Sequence, residues 1–378
     1  MKPNKLVIKV GTSTLTAGTQ RLNRRRMLSI AQQIVEAREK GVSVILVTSG
    51  AIAAGRELME HAGNAPINGA RSLPVKQMLA AVGQAHLMLA WGQVFGMFDV
   101  QVGQVLLTRA DLSDRRRYLN ARDTLNAMLT YDVVPIINEN DAVATEEIRV
   151  GDNDNLSALV ANVVNADLLL ILSDIAGLYT ADPHQDPSAT LVREVTHIDE
   201  AVWAMAGASR SGLGVGGMAT KLRAAELATH SGTAMMIVDG ARPNVILDAI
   251  EGKPVGTRFA ATSTKIESRK RWILSERAVG SVIVDDGAAG AVRNGRSLLP
   301  VGVREVQGDF DRGEAVLVKD LRGRTIAHGI ARYSAAEASL LIGKQSWEIE
   351  GILGYESAPM LIHADDMVVL AMGNQSDH

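Results

Sequence analysis

Leu6-Val7-Ile8-Lys9-Val10-Gly11-Thr12-Ser13 is an apolar run interrupted by one lysine and closed by a glycine and two hydroxyls. Consecutive apolar positions suit a strand buried on both faces. Met27, Ile30, Ala31, Ile34 and Val35 then follow at the i, i+3, i+4, i+7, i+8 spacing of one helix face. The alternation continues. Val42 to Thr48, Val100 to Leu107, Val133 to Ile137, Leu168 to Ser173 and Met235 to Val238 are further strand-like runs. Helical patterns such as Val75, Met78, Leu79, Val82 and Leu156, Leu159, Val160, Val163 separate them. This order predicts an α/β fold: a mostly parallel sheet with helices on both sides, a three-layer α/β/α sandwich. Ligands then collect at the carboxyl ends of the strands.

The chain has 378 residues, which suggests one large and one small domain. Hydrophobic residues make up 47% and charged residues 21%, enough for a substantial core. A formal charge of −3 gives no general field for nucleic acid or an anionic membrane. With no cysteine, thiolate catalysis, disulfides and cysteine metal sites are excluded, and any metal needs oxygen or imidazole ligands. The N-terminus lacks the apolar core of a signal peptide, and no apolar run approaches the roughly 18 residues of a membrane span. The expectation is a soluble, cytoplasmic protein.

From about Gly256 to Ser275 the texture turns polar and basic, which reads as a linker. Beyond it Ser281 to Val284, Ala315 to Val318 and Thr325 to Ile330 are short β-like runs. Asp286-Gly287, Asn294-Gly295, Arg312-Gly313 and Arg322-Gly323 supply turn signals, and together these predict a small β-rich domain. The expected boundaries are residues 1–260, a linker over 261–279, and a second domain over 280–370.

Five segments place a small-residue or polar turn beside a strand or helix end, where backbone N–H groups are available to an anion. Lys9-Val10-Gly11-Thr12-Ser13 sets a lysine in an apolar strand, and a buried lysine needs an anion such as phosphate. Read alone, Lys9 also suits a lysine snorkelling from an edge strand. Val47-Thr48-Ser49-Gly50-Ala51-Ile52-Ala53-Ala54-Gly55-Arg56 runs from a strand into a helix that opens with small side chains, which let a ligand touch the backbone; its bland reading is a helix capped by Ser49. Asn138-Glu139-Asn140-Asp141 follows a strand, and Gly151-Asp152-Asn153-Asp154-Asn155 precedes a helix. Such turns often only cap helices, but together they form a polar pocket for the charged ends of an amino acid. An EF-hand is excluded because the twelfth loop position from Asp152 is Val163. The fifth segment carries glycines at 212, 214, 216 and 217 and ends in Thr220-Lys221. It is like a phosphate-cradling loop without matching the P-loop pattern, and a plain flexible loop is the alternative.

None of the eight histidines falls in these segments, so general base catalysis is disfavoured. A hydroxyl acceptor usually needs a base, whereas a carboxylate with a pKa near about 4.3 is already ionised at neutral pH. Lysines and backbone amides supply electrostatic stabilisation, with magnesium on the nucleotide. The residues favour a kinase that forms an acyl phosphate.

In order and spacing, IKVGTSTLT (8–16), VTSGAIAAGR (47–56), VPIINENDAV (134–143), GDNDNLSA (151–158), SDIAGLYTADP (173–183) and GVGGMATKLRAA (214–225) resemble the amino acid kinase family. The resemblance covers about residues 5–260. It implies ATP-dependent phosphorylation of the L-glutamate side-chain carboxylate to L-glutamyl 5-phosphate, the first step towards proline. Acetylglutamate or aspartate kinase is the alternative within the family. Carried over by residue, Lys9 and Lys221 contact the transferring phosphate and Asp154 holds both lysines. Ser49, Gly50, Asn138, Asp141 and Asn153 bind glutamate. Lys9, Ser173, Asp174, Val215, Gly216, Gly217, Met218, Ala219, Thr220 and Lys221 bind ATP, and Mg2+ rides on the nucleotide phosphates with no dedicated protein metal site. The resemblance also implies proline as inhibitor, a homo-oligomer, and glutamate-5-semialdehyde dehydrogenase, the next pathway enzyme, as a partner.

The tail resembles a PUA domain through Gly295 to Pro300, Gly308 to Glu314 and Ile326 to Gly329. PUA domains elsewhere bind RNA. Residues 280–378 hold nine Lys and Arg against fourteen Asp and Glu, the wrong sign for phosphate contacts, so structural or regulatory use is expected. Glu60 to Pro74 reads as a longer, looser loop than the family suggests.

Overall fold

The computed structural model describes residues 2–61, 72–144, 152–183, 185–207, 217–356 and 358–370. The chain divides into two compact units, Met1–Lys265 and Ile266–His378. In the first, strands β1 (Lys5–Val10), β2 (Ser43–Thr48), β3 (Val102–Leu107), β4 (Val134–Glu139), β5 (Leu168–Ser173), β6 (Glu194–Val195), β7 (Ala234–Asp239) and β8 (Thr257–Phe259) form one sheet. Its order is β3-β4-β2-β1-β5-β7-β8-β6. All neighbours run parallel except β7 and β8. The helices are α1 (Thr12–Thr16), α2 (Arg24–Glu39), α3 (Ala51–His61), α4 (Leu73–Gly96), α5 (Arg109–Ser113), α6 (Arg115–Thr130), α7 (Asp152–Val163), α8 (Glu200–Met205), α9 (Met218–His230) and α10 (Val245–Ile250).

Alternate residues of a strand face opposite sides of a sheet, and two cores result. Leu6, Ile8 and Val10 of β1 join Met27, Ile30 and Ile34 of α2 and Trp91 and Phe95 of α4 on one side. Val7 of β1 and Ile171 of β5 join Leu125 of α6, Leu156 and Val160 of α7 and Leu222 and Ala225 of α9 on the other. Both faces are covered, so the strands read as continuous apolar runs, and the α/β/α sandwich is what the alternation predicts. Lys9 lies two residues beyond Val7 and therefore on the face of α7 and α9. Its strand is central, paired with both β2 and β5, and Lys9 is only 5% exposed. That rules out a lysine snorkelling from an edge strand.

The second unit carries β9 (Gly280–Val284), β10 (Val303–Gly308), β11 (Ala315–Asp320), β12 (Thr325–Ile330) and β13 (Met367–Val369) in the order β10-β9-β11-β12-β13. Val284, Val316, Ile326 and Tyr333 belong to its own core. Helix α11 (Lys265–Ser275) occupies much of the stretch that reads as a linker. Helices α12 (Asp286–Arg293), α13 (Ala335–Leu340) and α14 (Ile349–Leu353) complete the unit. Asp286-Gly287 is not a turn: the Asp285 side chain accepts from Ala288 N and starts α12 there.

Helix α4 departs most from its sequence pattern. It is the one described helix long and apolar enough to cross a membrane by length and composition, and half of that window is buried within the fold. Its pattern does not choose the buried face, because its few polar residues, Lys76, Gln77, Gln84, His86 and Gln93, are not gathered on one side. Met78 and Val82 remain exposed, while Leu87, Trp91 and Phe95 go inside. Glycines decide the face. A Cβ on Gly83 would lie 1.8 Å from Ala51 O, and one on Gly55 would lie 2.0 Å from Leu79 O, so α3 and α4 cross backbone against backbone. Of the expected loop over Glu60 to Pro74, Glu60 and His61 belong to α3 and Leu73 and Pro74 to α4; residues 62–71 lie outside those described.

The crossing yields a paired expectation. Gly83→Ala should lower stability by about 1–3 kcal/mol by forcing the helices apart. Gly92→Ala, at a helical position with open space around it, should raise it by about 0.5–1 kcal/mol. Urea unfolding midpoints measure both, and equal responses at the two glycines would reject the close crossing.

Candidate functional site

Strands β4, β2, β1 and β5 are adjacent and parallel, so their carboxyl ends open on one side. There lies a cavity of about 930 Å³. Lys9 reaches it from β1, Asn138 and Glu139 from the end of β4, and Ser173 and Asp174 from the end of β5. Ser49, Gly50 and Ala51 reach it from the turn into α3, Asn153 and Asp154 from α7, and Gly217, Thr220 and Lys221 from α9. Asn153 to Asn155 do not precede a helix; they form its first turn. Short polar side chains are stable there because the first-turn N–H groups have no intrahelical acceptor.

Asp154 is fully buried. Its Oδ1 is 2.6 Å from Lys9 Nζ and its Oδ2 is 3.5 Å from Lys221 Nζ. Thr220 Oγ1 donates to Oδ2 at 2.8 Å and also lies 3.0 Å from Gly217 O, pinning the first turn of α9 to the carboxylate. Gly217 allows this entry because it caps α9 at φ 74°, a left-handed value that favours glycine. Burial alone would push the Asp154 carboxyl up, but the two ammonium groups and the donated hydrogen bonds outweigh it and hold the pKa below the usual carboxylate value. Lys9 is shifted below the ordinary lysine value by burial, reinforced by the Lys221 cation and opposed by Asp154. Two cations thus share one buried anion, with Asp174 a further carboxylate acting on Lys9, so both ammonium groups are gathered at this end of the cavity. Gly11 lies beside this end, where a Cβ would make ordinary contact with Lys9 Nζ at 3.4 Å.

The other end is built from amides. Asn153 Nδ2 lies 2.9 Å from Thr48 O, 2.8 Å from Ser49 Oγ and 3.0 Å from Asn138 Oδ1. Asn153 Oδ1 is buried and accepts nothing from the described residues. A carboxamide with crowded acceptors on its nitrogen and an orphaned oxygen suits a ligand that brings a donor, such as an ammonium group. Asp141 lines the same cavity. Ser173 Oγ donates to Asp174 Oδ1 at 3.1 Å near the lysine end.

The site residues read from sequence therefore converge, except that Met218 and Ala219 are not among the cavity-lining residues, and Val215 and Gly216 lie outside the described residues. The sequence reading gives no role to Arg56, which ends the second segment, and does not single out Lys76, Arg109 and Arg117; all four line the cavity. Position after the carboxyl end of β3 is the signal that would have found Arg109. Among the described residues no histidine lines the cavity.

The amino acid kinase family model matches residues 4–239, and a PUA domain model matches residues 280–353. Glutamate 5-kinase of Serratia proteamaculans (strain 568) is 53% identical over 365 residues, covering 96% of this chain and 98% of its own. The glutamate 5-kinases of Serratia marcescens and Yersinia pestis (strain Pestoides F) are 53% and 52% identical over the same shares. Among solved structures, carbamate kinase from Giardia lamblia bound to AMP-PNP matches with a TM-score of 0.50 at 18% identity, covering 68% of this chain and 98% of that one, a likeness of fold. With more than half of its residues matched by the family model and relatives this close along nearly its whole length, the chain belongs to the amino acid kinase family.

Proposed function

We propose that the chain transfers the γ-phosphoryl group of ATP to the side-chain carboxylate of L-glutamate, giving L-glutamyl 5-phosphate and ADP. One observation carries this reading: a buried carboxylate gathers two lysines at one end of a cavity whose other end is made of Asn and Asp side chains. Relatives named glutamate 5-kinase at 52–53% identity support the choice of acceptor.

Ser49, Gly50, Asn138, Asp141 and Asn153 bind glutamate in this reading, with Asn153 Oδ1 accepting from the α-ammonium. Ser173, Asp174 and the segment from Val215 to Lys221 bind ATP. The glutamate carboxylate, ionised at neutral pH, attacks the γ-phosphorus, and the bond to the ADP oxygen breaks. No proton has to be removed, which agrees with a cavity whose described lining has no histidine. Lys9 and Lys221 neutralise charge on the transferring phosphoryl oxygens, and Asp154 keeps both aimed without titrating. Mg2+ is expected with the nucleotide. Asp154 is already engaged by two ammonium groups and the Thr220 hydroxyl, so the nucleotide phosphates are the ligands expected to hold the ion, where it would shield the migrating charge.

The proposed domain limits are residues 1–260 for the kinase and 280–370 for the PUA-like domain, joined by 261–279. In the latter Arg293 and Arg324 pair with Asp320, Arg304 with Asp285 and Arg332 with Asp366. Basic side chains already neutralised add to the acidic balance in favouring structural or regulatory use over nucleic acid. A soluble cytoplasmic homo-oligomer that hands its labile product to glutamate-5-semialdehyde dehydrogenase, and is inhibited by proline, fits this role.

A substrate panel tests the reading. ATP turnover with trapping of the acyl phosphate by hydroxylamine should be seen with glutamate; preference for acetylglutamate or aspartate would overturn it. Lys221→Ala should reduce kcat roughly 10²–10³-fold, the cost of a lost transition-state donor. Lys9→Ala should do the same and also cost about 3–5 kcal/mol in urea unfolding, because it strips the nearer partner from a buried carboxylate. Activity within a few-fold of wild type in either would remove the assigned roles.

The pH profile has a definite sign. Lys9 must be protonated, and burial puts its pKa below the ordinary 10.5, so activity should fall on the alkaline side earlier than an ordinary lysine would dictate. Asp154 opposes that shift, so Asp154→Asn should move the alkaline limb of kcat/KM to still lower pH. A limb that stays put or moves up would contradict the coupling.

Proline shares the α-amino and α-carboxylate ends of glutamate. If the amide end of the cavity grips those ends, Asp141→Asn or Asn153→Ala should weaken both ligands together, by about 1–3 kcal/mol. Inhibition curves at several glutamate concentrations decide it: loss of glutamate affinity with proline inhibition unchanged would mean separate sites.

A further inference from the structure

The pocket amides do not orient themselves. Asn138 is 1% exposed, and its Nδ2 donates to Gln84 Oε1 at 2.8 Å. Gln84 Nε2 in turn donates to Gln104 Oε1 at 3.2 Å. With Asn138 Oδ1 accepting from Asn153, three consecutive hydrogen bonds run from Asn153 through Asn138 and Gln84 to Gln104, all with the same polarity. Reversing any one amide would set donor against donor or acceptor against acceptor. Gln84 is half-buried and does not line the cavity, whereas Asn138 and Asn153 do. It follows Gly83, whose missing Cβ lets α4 lie against the start of α3. The same crossing therefore fixes the backbone of Gln84 relative to Ser49 and Gly50.

We propose that Gln84 is a positioning residue for glutamate recognition, fixing through Asn138 the orientation of the Asn153 carboxamide whose free oxygen meets the substrate's ammonium. The inference rests on the glutamate reading above. Without an acceptor at position 84, Asn138 is free to turn its nitrogen towards Asn153, where two donors would then face each other. Asn153 must swing away or present its nitrogen to the ligand. The nucleotide end is held separately: Asp154, although next to Asn153 in the first turn of α7, turns its carboxylate to Lys9, Lys221 and Thr220 and makes none of the amide contacts, so a flip of Asn153 leaves it in place.

The test is steady-state kinetics on the full chain with Gln84→Met, Gln84→Glu and Gln104→Met. Gln84→Met keeps volume but removes the amide, and should raise KM for glutamate about tenfold while leaving KM for ATP and kcat within about twofold to threefold. Gln84→Glu keeps an acceptor for Asn138, and Gln104 can turn its nitrogen towards it, so glutamate KM should stay near that of wild type. Gln104→Met removes only the far anchor and should give a smaller rise of about threefold, a measurement that stands even if Gln84→Met fails to fold. An unchanged glutamate KM in Gln84→Met and Gln104→Met, a parallel rise in both substrate KM values, or failure of Gln84→Glu to restore binding would overturn the inference. Absence of glutamate turnover by the wild-type chain would instead overturn the reading on which it rests.

Discussion

Everything in the kinase unit is arranged around one buried anion. Asp154 has no access to water, so its charge is tolerable only while cations and donors from other elements surround it. Lys9 comes from the central strand, Lys221 and Thr220 from the first turn of α9, and all converge on a carboxylate in the first turn of α7. The stability requirement of the carboxylate and the chemical requirement for positive charge are met by the same contacts. Two lysines gathered on one buried carboxylate place both ammonium groups at the same end of the cavity, where a ligand phosphate can meet them.

Much of this was legible in the sequence because it depends on periodicity and on local chemistry. Continuous apolar runs announced strands buried on both faces, and a lysine inside the first of them had to have an anion nearby. What sequence could not fix was the choice among equals. The few polar residues of helix α4 do not mark one side of it, so Met78 and Val82 look as suited to the core as Leu87; glycine contacts across the chain decide otherwise. Asn153 to Asn155 read as a turn before a helix because short polar residues favour both places, and only tertiary contacts placed them inside the first turn. Asp286-Gly287 misled for a similar reason, since the capping residue was Asp285, one position earlier. Lys76, Arg109 and Arg117 carried no signal because they sit in no shared local pattern and meet at the cavity only in three dimensions.

The two ends of the cavity solve different physical problems. At the lysine end, strong charges tolerate small errors in position because Coulomb attraction falls off slowly. At the amide end a wrong rotation exchanges a donor for an acceptor, so orientation must be specified by neighbours. A relay of carboxamides does this without any charge. Its members come from α7, β4, α4 and β3, which ties the ligand pocket to the outermost strand of the sheet.

The strand order has a bearing on how such a chain comes off the ribosome. β1 is made first yet lies in the middle of the sheet, flanked by β2 and by β5, which begins at Leu168. Its side facing β5 must wait for well over a hundred residues of synthesis, and the charge on Lys9 stays unpaired until α7 arrives. Closing contacts this distant in sequence is slow, and a half-made sheet with an open central edge is exposed to association with other chains. During that interval Lys9 is the one charge within the apolar run from Leu6 to Val10, and a charge in such a run opposes association.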